Sequence, residues 1–309
     1  MSDPKGYQSS LSHELLEKAK KELNEDPSKT EQKLHDLRQM FKKRPDIKFR
    51  TDDTFLLRYL RVRKFNVERA YKTLVHYYEV RDQFKELYAD YTPSDVVQQL
   101  KDQIHWILRS RDKDGRRVFI VRPGNWDLEK YSITPCLKTA MMLMELICEE
   151  EETQINGVVV IADYSGMSMK HVKQLNPIVV RKLADTIQNA LPLRLKAIHY
   201  VNQPKIFDII FGLFKPFFSE KMLKRLHFHG DEYGTLHEHI PSSILPAEYG
   251  GALQNMTNQE WADKLFSQED AIIENNKYGF PKSSEVLGAQ KQGEDAAGGL
   301  VGSFKKLDI

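Results

Sequence analysis

Cysteine is nearly absent from this chain of 309 residues: only Cys136 and Cys148 occur. They fall in what reads as one helix, about 18 Å apart at 1.5 Å per residue, which is beyond disulfide reach. Both are expected as reduced, partly buried thiols. Long apolar runs are missing as well. No stretch approaches the ~18 uninterrupted apolar residues of a membrane span, and the polar opening MSDPKGYQSS has no leader-like apolar core, so a cytosolic protein is expected. Charge of one sign is not in excess, since 46 Lys and Arg face 44 Asp and Glu for a formal +2. That balance argues against a nucleic-acid coat or an acidic solvating tail. Signatures of catalysis are lacking too: there is no G-x-S-x-G, no G-x-x-x-x-G-K-[ST] and no G-x-G-x-x-G. No catalytic residue, no cofactor and no metal is therefore expected. The DKDG stretch from Asp112 has Pro123 rather than a bidentate Glu at the twelfth position, so it reads as a turn and not as a calcium loop.

What is present describes a globular protein. Hydrophobic residues make up 40% and charged residues 29%, enough to bury a core. The length lies just past the roughly 250 to 300 residues at which one core stops growing, so a large domain with a smaller companion is expected. After a flexible N-terminus (1–10), residues 11–90 read as helices only. Leu15, Leu16, Ala19 and Leu23 form one stripe, and Leu34, Leu37, Met40 and Phe41 form the next, with Asp26-Pro27 between them. A third helix starts at a cap expected at Thr51, and a fourth runs from about Val67. The pattern then changes. Trp106 to Arg109 and Val118 to Val121 flank the DKDG turn as a hairpin. Helix 134–152, the continuous run Val158 to Ile161, helix 177–190 and the strand Ala197 to Asn202 follow. Alternating strands and helices predict an α/β domain over 91–279 with a mostly parallel sheet. Residues 280–309 hold five of the sixteen glycines and read as a flexible tail, with Gly299 to Leu307 as a candidate docking peptide for a protein partner.

Three features bear on function. His227 and His229 alternate on one strand face, with His237 and His239 close behind. Without a nearby Cys or a Glu-x-x-His they read as structural histidines rather than zinc ligands. The Glu149 to Glu152 run reads as a solvated helix end. From Pro204 to Phe218, at 100° per residue, the apolar side chains cover an arc of about 200°, which fits either a helix buried on two sides or a movable lid whose rim meets a bilayer. Around that helix, from Arg194 to Arg225, seven basic residues face two acids. RYLRVRKF adds Arg58, Arg61, Arg63 and Lys64. Either an anionic partner or a solvated helix face accounts for these charges.

Taken in order, TDDTFLLRYLRVRKF, ETQINGVVVIADYSG, AIHYVNQPKIF, KPFFSEKMLKRLHFHG and ILPAEYGG resemble the CRAL-TRIO lipid-binding family, nearest its tocopherol-transfer and clavesin branch. The resemblance spans about residues 10–275. It implies a sheet and helices enclosing an apolar pocket, preceded by an all-helical module. The implied walls are His105, Val121, Leu137, Ala140, Met144 and Val158, together with Ala162, Leu175, Leu183, Ile187, Leu191 and Leu193. The implied lid carries Ile206, Phe207, Ile210, Phe211, Leu213, Phe214, Phe217 and Phe218. The family's phosphoinositide-binding positions correspond to Arg63, Arg194, Lys196, Lys221 and Arg225. One departure concerns Ala140 and Met144, where tocopherol-binding members carry serines. It leaves His105 as the main polar group of the pocket.

The expectation is a non-enzymatic carrier that moves a tocopherol-, retinoid- or isoprenoid-like lipid between membranes and docks peripherally on phosphoinositides of endosomal or trans-Golgi surfaces. The alternative is a clavesin-type phosphoinositide-binding protein serving trafficking. No nucleic-acid partner is expected.

Overall fold

A computed structural model describes residues 7–89, 91–254 and 257–281; the tail with Gly299 to Leu307 lies outside the described residues. The chain opens with helices α1 (His13–Leu23), α2 (Pro27–Met40), α3 (Asp53–Val62), α4 (Val67–Gln83), α5 (Lys85–Tyr88) and α6 (Val97–Lys101). Their starts follow local chemistry. The side chains of Ser12, Asp26, Asp52 and Asn66 each accept a hydrogen bond from a backbone N–H of the first turn, which satisfies a donor the helix cannot pair itself. The cap of α3 is thus Asp52, one residue beyond the expected Thr51.

Five strands follow in a single sheet: β1 (His105–Ile107), β2 (Arg117–Val121), β3 (Val158–Asp163), β4 (Leu195–Val201) and β5 (Leu226–Phe228). β1 and β2 form the antiparallel hairpin across the Asp112 turn, and β2 to β5 run parallel in sequence order. This order has a consequence. Parallel crossovers are right-handed in nearly every case, so three successive crossovers in one direction put their helices on one face. Those helices are α7 (Ile133–Ile147) and α8 (Glu151–Asn156), then α9 (Met169–Gln174) and α10 (Pro177–Asp185), then α11 (Phe207–Phe214) and α12 (Glu220–Leu223). The other face is left to the chain after β5, which includes α13 (Gly234–His237). Two further helices, α14 (Gln259–Ser267) and α15 (Glu269–Asn275), precede Gly279, which pairs through both backbone groups with Lys48. The chain end so returns to the helical module.

Two readings of charge are corrected. The acidic run does not end a long helix: α7 stops at Ile147, and Glu151 and Glu152 open α8, where the helix dipole favours them. Each acid is paired: Glu149 with Arg58, Glu150 with Arg111 and Arg117, Glu151 with Arg61, and Glu152 with Arg111. Arg61 is not on a solvated face either. Its side chain is 1% exposed and grips Glu25 at 2.7 and 2.9 Å, Glu151 at 3.0 Å and Gln154 at 2.7 Å. Tyr7 and Ser10, within the stretch expected to be flexible, bond to Glu151 as well. α3, α8 and the start of the chain meet at this one buried cation.

Candidate functional site

Strand pairing defines the site. His105, Val121, Ala162, Tyr200 and Phe228 are partners across the five strands, and Ile107, Phe119, Val160, Ile198 and Leu226 form the next row on the same face. Above these rows lies a cavity of about 240 Å³. Its walls are completed by Leu137, Ala140, Met141 and Met144 of α7, Leu175, Leu183 and Ala184 around α10, and Ile187 and Gln188 of the π-helical turn Thr186–Ala190. The roof is α11 and the turn after it, through Phe207, Ile210, Phe211, Phe214 and Phe218. Among the described residues no Lys, Arg, Asp or Glu borders the space.

Ten of the twelve expected wall residues border this cavity; Val158 and Leu191 do not. Val158 opens β3 and is 1% exposed in the packed core beneath the cavity, which begins at Val160, one pleat further on. Leu191 follows the π-helical turn, its N–H bonded to Thr186, and is equally buried in that core. Of the expected lid residues, Ile206, Leu213 and Phe217 also stand off the cavity. The first two pack near Met167 and Val172. Phe217 is half-buried in the turn, where its carbonyl accepts a hydrogen bond from Gln188 at 2.9 Å. Gln188 also accepts from the Ser219 N–H at 3.1 Å, so one glutamine holds the C-terminal end of the roof.

Tyr164, Tyr200, Phe119, Val160, Ile198 and Met222 border the cavity without having been expected there. The signal for four of them lies in strand alternation: counting by twos from Ala162 gives Val160 and Tyr164, and the paired strand gives Ile198 and Tyr200. His105 stands at one end of the first row. Burial pushes its imidazole down to about 3, so it is neutral, and its Nδ1 has no hydrogen-bond partner among the described residues.

The five basic residues come together from three parts of the chain. Burial, then the charges of Arg225, Lys64, Arg63 and Arg194, holds Lys221 below the ordinary lysine value. Burial and Arg194 push Lys196 down to about 8 despite Glu22. Arg63 donates to Thr73 at 2.6 Å and to the Asn189 carbonyl at 3.3 Å, while Arg225 donates to the Leu195 carbonyl. Arg194 bonds to the Ile155 carbonyl and pairs with Glu22 of α1 at 3.0 Å, and Lys196 lies 3.8 Å from the same carboxylate. Gly157 underlies this arrangement. Its φ is +91°, and a Cβ there would meet the Arg194 carbonyl at 2.4 Å.

On the opposite sheet face, His199 stacks on His227 with ring centroids 4.8 Å apart, and His239 lies 4.6 Å from His227. His199 Nδ1 is 2.9 Å from His229 Nε2, and His229 Nδ1 is 2.7 Å from Thr235. Burial and mutual repulsion push His199 down to about 3 and His229 down to about 4. Among the described residues no group of three or more His, Cys, Asp or Glu is placed to hold a metal ion.

A mixed sheet and a partly open cavity, bordered by no charged side chain among the described residues and roofed by an aromatic helix, make a site suited to an apolar molecule. Sequence comparison with known proteins identifies its family. Residues 101–251 match the CRAL/TRIO domain, and residues 26–96 match the Pinta-like, UBA domain. "Alpha-tocopherol transfer protein-like" from Homo sapiens is 36% identical over 287 residues, covering 93% of this chain and 84% of that protein. Clavesin-2 from Rattus norvegicus is 36% identical over 280 residues, covering 89% and 86%. The crystal structure of Sfh5 aligns at 14% identity with a TM-score of 0.45, over 76% of this chain and 91% of that one. The chain belongs to the CRAL-TRIO lipid-binding family.

Proposed function

We propose that this chain is a non-enzymatic carrier that encloses one hydrophobic small molecule and exchanges it at phosphoinositide-bearing membranes of endosomal or trans-Golgi type. The observation that supports it is the cavity itself: its polar groups are few, and a site of this character rejects a polar substrate. α11 is the movable part. Its inner face is Phe207, Ile210, Phe211 and Phe214, whereas Ile209 is 51% exposed on its outer side and Phe228, beneath it, 52% exposed. The exposed pair offers apolar area to a bilayer. Arg63, Arg194, Lys196, Lys221 and Arg225 are the residues that meet the phosphates, each basic group near an anionic leaflet contributing about 1 kcal/mol.

Two further facts favour a carrier over an enzyme. Ser168 and His171 touch at 2.9 Å, but they form the capping box of α9, and His171 Nε2 is engaged by the Trp126 carbonyl at 3.1 Å. Both thiols are buried, and burial pushes each up to about 12, leaving them protonated and unreactive.

Native mass spectrometry of the purified protein, followed by solvent extraction, tests the proposal. A stoichiometric apolar ligand is expected. An empty cavity combined with tight phosphoinositide binding overturns the carrier and favours a clavesin-type membrane-recognition protein.

A further inference from the structure

Two tyrosines interrupt the aromatic cluster under α11. Tyr164 and Tyr200 border the cavity with ring centroids 5.9 Å apart, and they pack against Phe207, Phe211 and Phe228. Phenylalanine evidently suits this cluster. Yet neither hydroxyl makes a hydrogen bond with any described residue. Neither oxygen is among the sealed, unpartnered side-chain polar atoms, so both stay accessible where the residues border the cavity, and a molecule that displaces water from them must replace the hydrogen bonds that water made. These two hydroxyls are therefore free to donate to a molecule held in the cavity.

Their place in the sheet is fixed by register. Tyr200 belongs to the row that begins at His105, three strands away or about 14 Å at the usual strand spacing, with Val121 and Ala162 between. Tyr164 continues the same face of β3 beyond Ala162. The space thus has an apolar floor and a pair of hydroxyls at its roof end. Burial raises both phenols well above their ordinary value, so each is a neutral donor. Among the described residues no cationic side chain borders the space, and a carboxylate held there would lack a counter-charge.

We propose that Tyr164 and Tyr200 form a hydrogen-bonding subsite at the roof end of the cavity, selecting a neutral apolar molecule with a terminal carbonyl oxygen over the corresponding hydrocarbon or carboxylate. The proposal rests on the carrier reading above and names the chemical class of its cargo. Each phenol O–H donates to the carbonyl oxygen. The remainder of the molecule lies along Ala162 and Val121, toward His105.

The test uses the full chain and three matched probes, 2-pentadecanone, pentadecane and pentadecanoic acid, in competition against a fluorescent alkyl probe at neutral pH. The ketone is expected to bind about tenfold more tightly than the alkane, the gain of one or two neutral hydrogen bonds, and the acid more weakly than the ketone. The double variant Tyr164→Phe, Tyr200→Phe should bind ketone and alkane equally, with its alkane affinity and its unliganded melting temperature no lower than in the wild type. Equal binding of ketone and alkane by the wild type overturns the subsite. So does a ketone preference that survives the double variant but disappears in His105→Phe, which would put the polar end at the opposite edge. A fall of several degrees in the unliganded melting temperature of the double variant overturns it too, by showing that the hydroxyls are structural. If no probe binds the wild type, the carrier reading itself fails, an outcome distinct from a loss of preference.

Discussion

The two faces of the sheet are built from the same strands and do opposite things. On one face Trp106, Val118, Ile120, Val159, Ile161 and Val201 pack against Leu236, Ile240, Leu245 and Tyr249. These residues are nearly all inaccessible, as expected of a close-packed interior. On the other face Val121, Val160, Ala162, Ile198 and Tyr200 look into open space. Hydrophobicity does not distinguish the faces. The covering does: the first is closed by one short segment lying directly on the strands, whereas the second is spanned by helices held apart. α7 and α10 form the sides and α11 the roof, and Gln188 joins α10's end to the turn beyond α11. An apolar surface becomes a binding cavity when its cover is supported at the edges.

Adjacent residues break the comparison most sharply. Ala162→Trp points into the cavity and should abolish binding of an apolar ligand while leaving the melting temperature close to wild type, because pre-formed space accepts the ring. Ile161→Trp points into the packed face and should destabilise by about 1–3 kcal/mol or more through overpacking, with ligand binding retained in the molecules that fold. Ligand binding and thermal melting of the pair check this, and identical behaviour would mean that the faces do not differ. The next effect separates the two sides of α11. Phe207→Asp with Phe211→Asp should release ligand from the protein in solution. Ile209→Asp, on the outer side, should leave ligand retention intact but weaken vesicle association by about tenfold, given ~1.5–3 kcal/mol for a large apolar side chain that is buried. Co-sedimentation with vesicles, beside ligand retention on gel filtration, reads both.

A smaller effect concerns acid. His105 on the cavity face is depressed to about 3. His199 and His229 on the packed face are depressed to about 3 and about 4. A depressed histidine binds its proton more readily in the unfolded chain. Its contribution is therefore intact above about pH 6.5 and is lost as the pH falls toward the folded value, at up to about 1.4 kcal/mol per pH unit per group. Stability should fall between pH 6.5 and 4. His105→Phe should reduce this loss with little cost at pH 7, because its Nδ1 satisfies nothing. His199→Phe should reduce it but lower stability at pH 7, since His229 Nε2 loses its partner. Urea melts at pH 5 and pH 7 distinguish the two.

The smallest effect lies at Lys196, in the irregular step of β4 between Leu195, which faces the cavity, and Ala197, which faces the packed side. Here Glu22 already neutralises part of the basic cluster. Glu22→Gln should raise affinity for phosphoinositide vesicles two- to fivefold, in line with the ~0–1 kcal/mol of a partly exposed ion pair. A bound phosphate favours the charged ammonium, so affinity should decline as the pH rises past about 8, and Lys196→Arg should remove that decline. Vesicle titration from pH 7 to 9 measures both, and an unchanged affinity in Glu22→Gln removes α1 from the account.

Much of this was legible in the residues. The helical opening followed from apolar spacing and caps, and the doubly buried β3 from the unbroken run Val158 to Ile161. The cavity walls were reached mainly through the resemblance of five motifs. Periodicity reports which side of an element is apolar, and that is local information. It does not report what the chain brings to that side from elsewhere. Arg61 and Arg194 look alike in sequence as basic residues beside apolar ones. Only the fold sets Glu25 and Glu151 around Arg61, sealing it in the interior, and places Arg194 among Lys196, Lys221 and Arg225 and in an ion pair with Glu22. The same limit kept Val158 and Ala162 indistinguishable as wall residues, since both share a face and differ only in how far along the strand the covering helices separate. Nothing in the sequence marks Tyr164 and Tyr200 for the same reason: a hydroxyl's lack of a partner is a property of every group around it, and it exists only once the chain has folded.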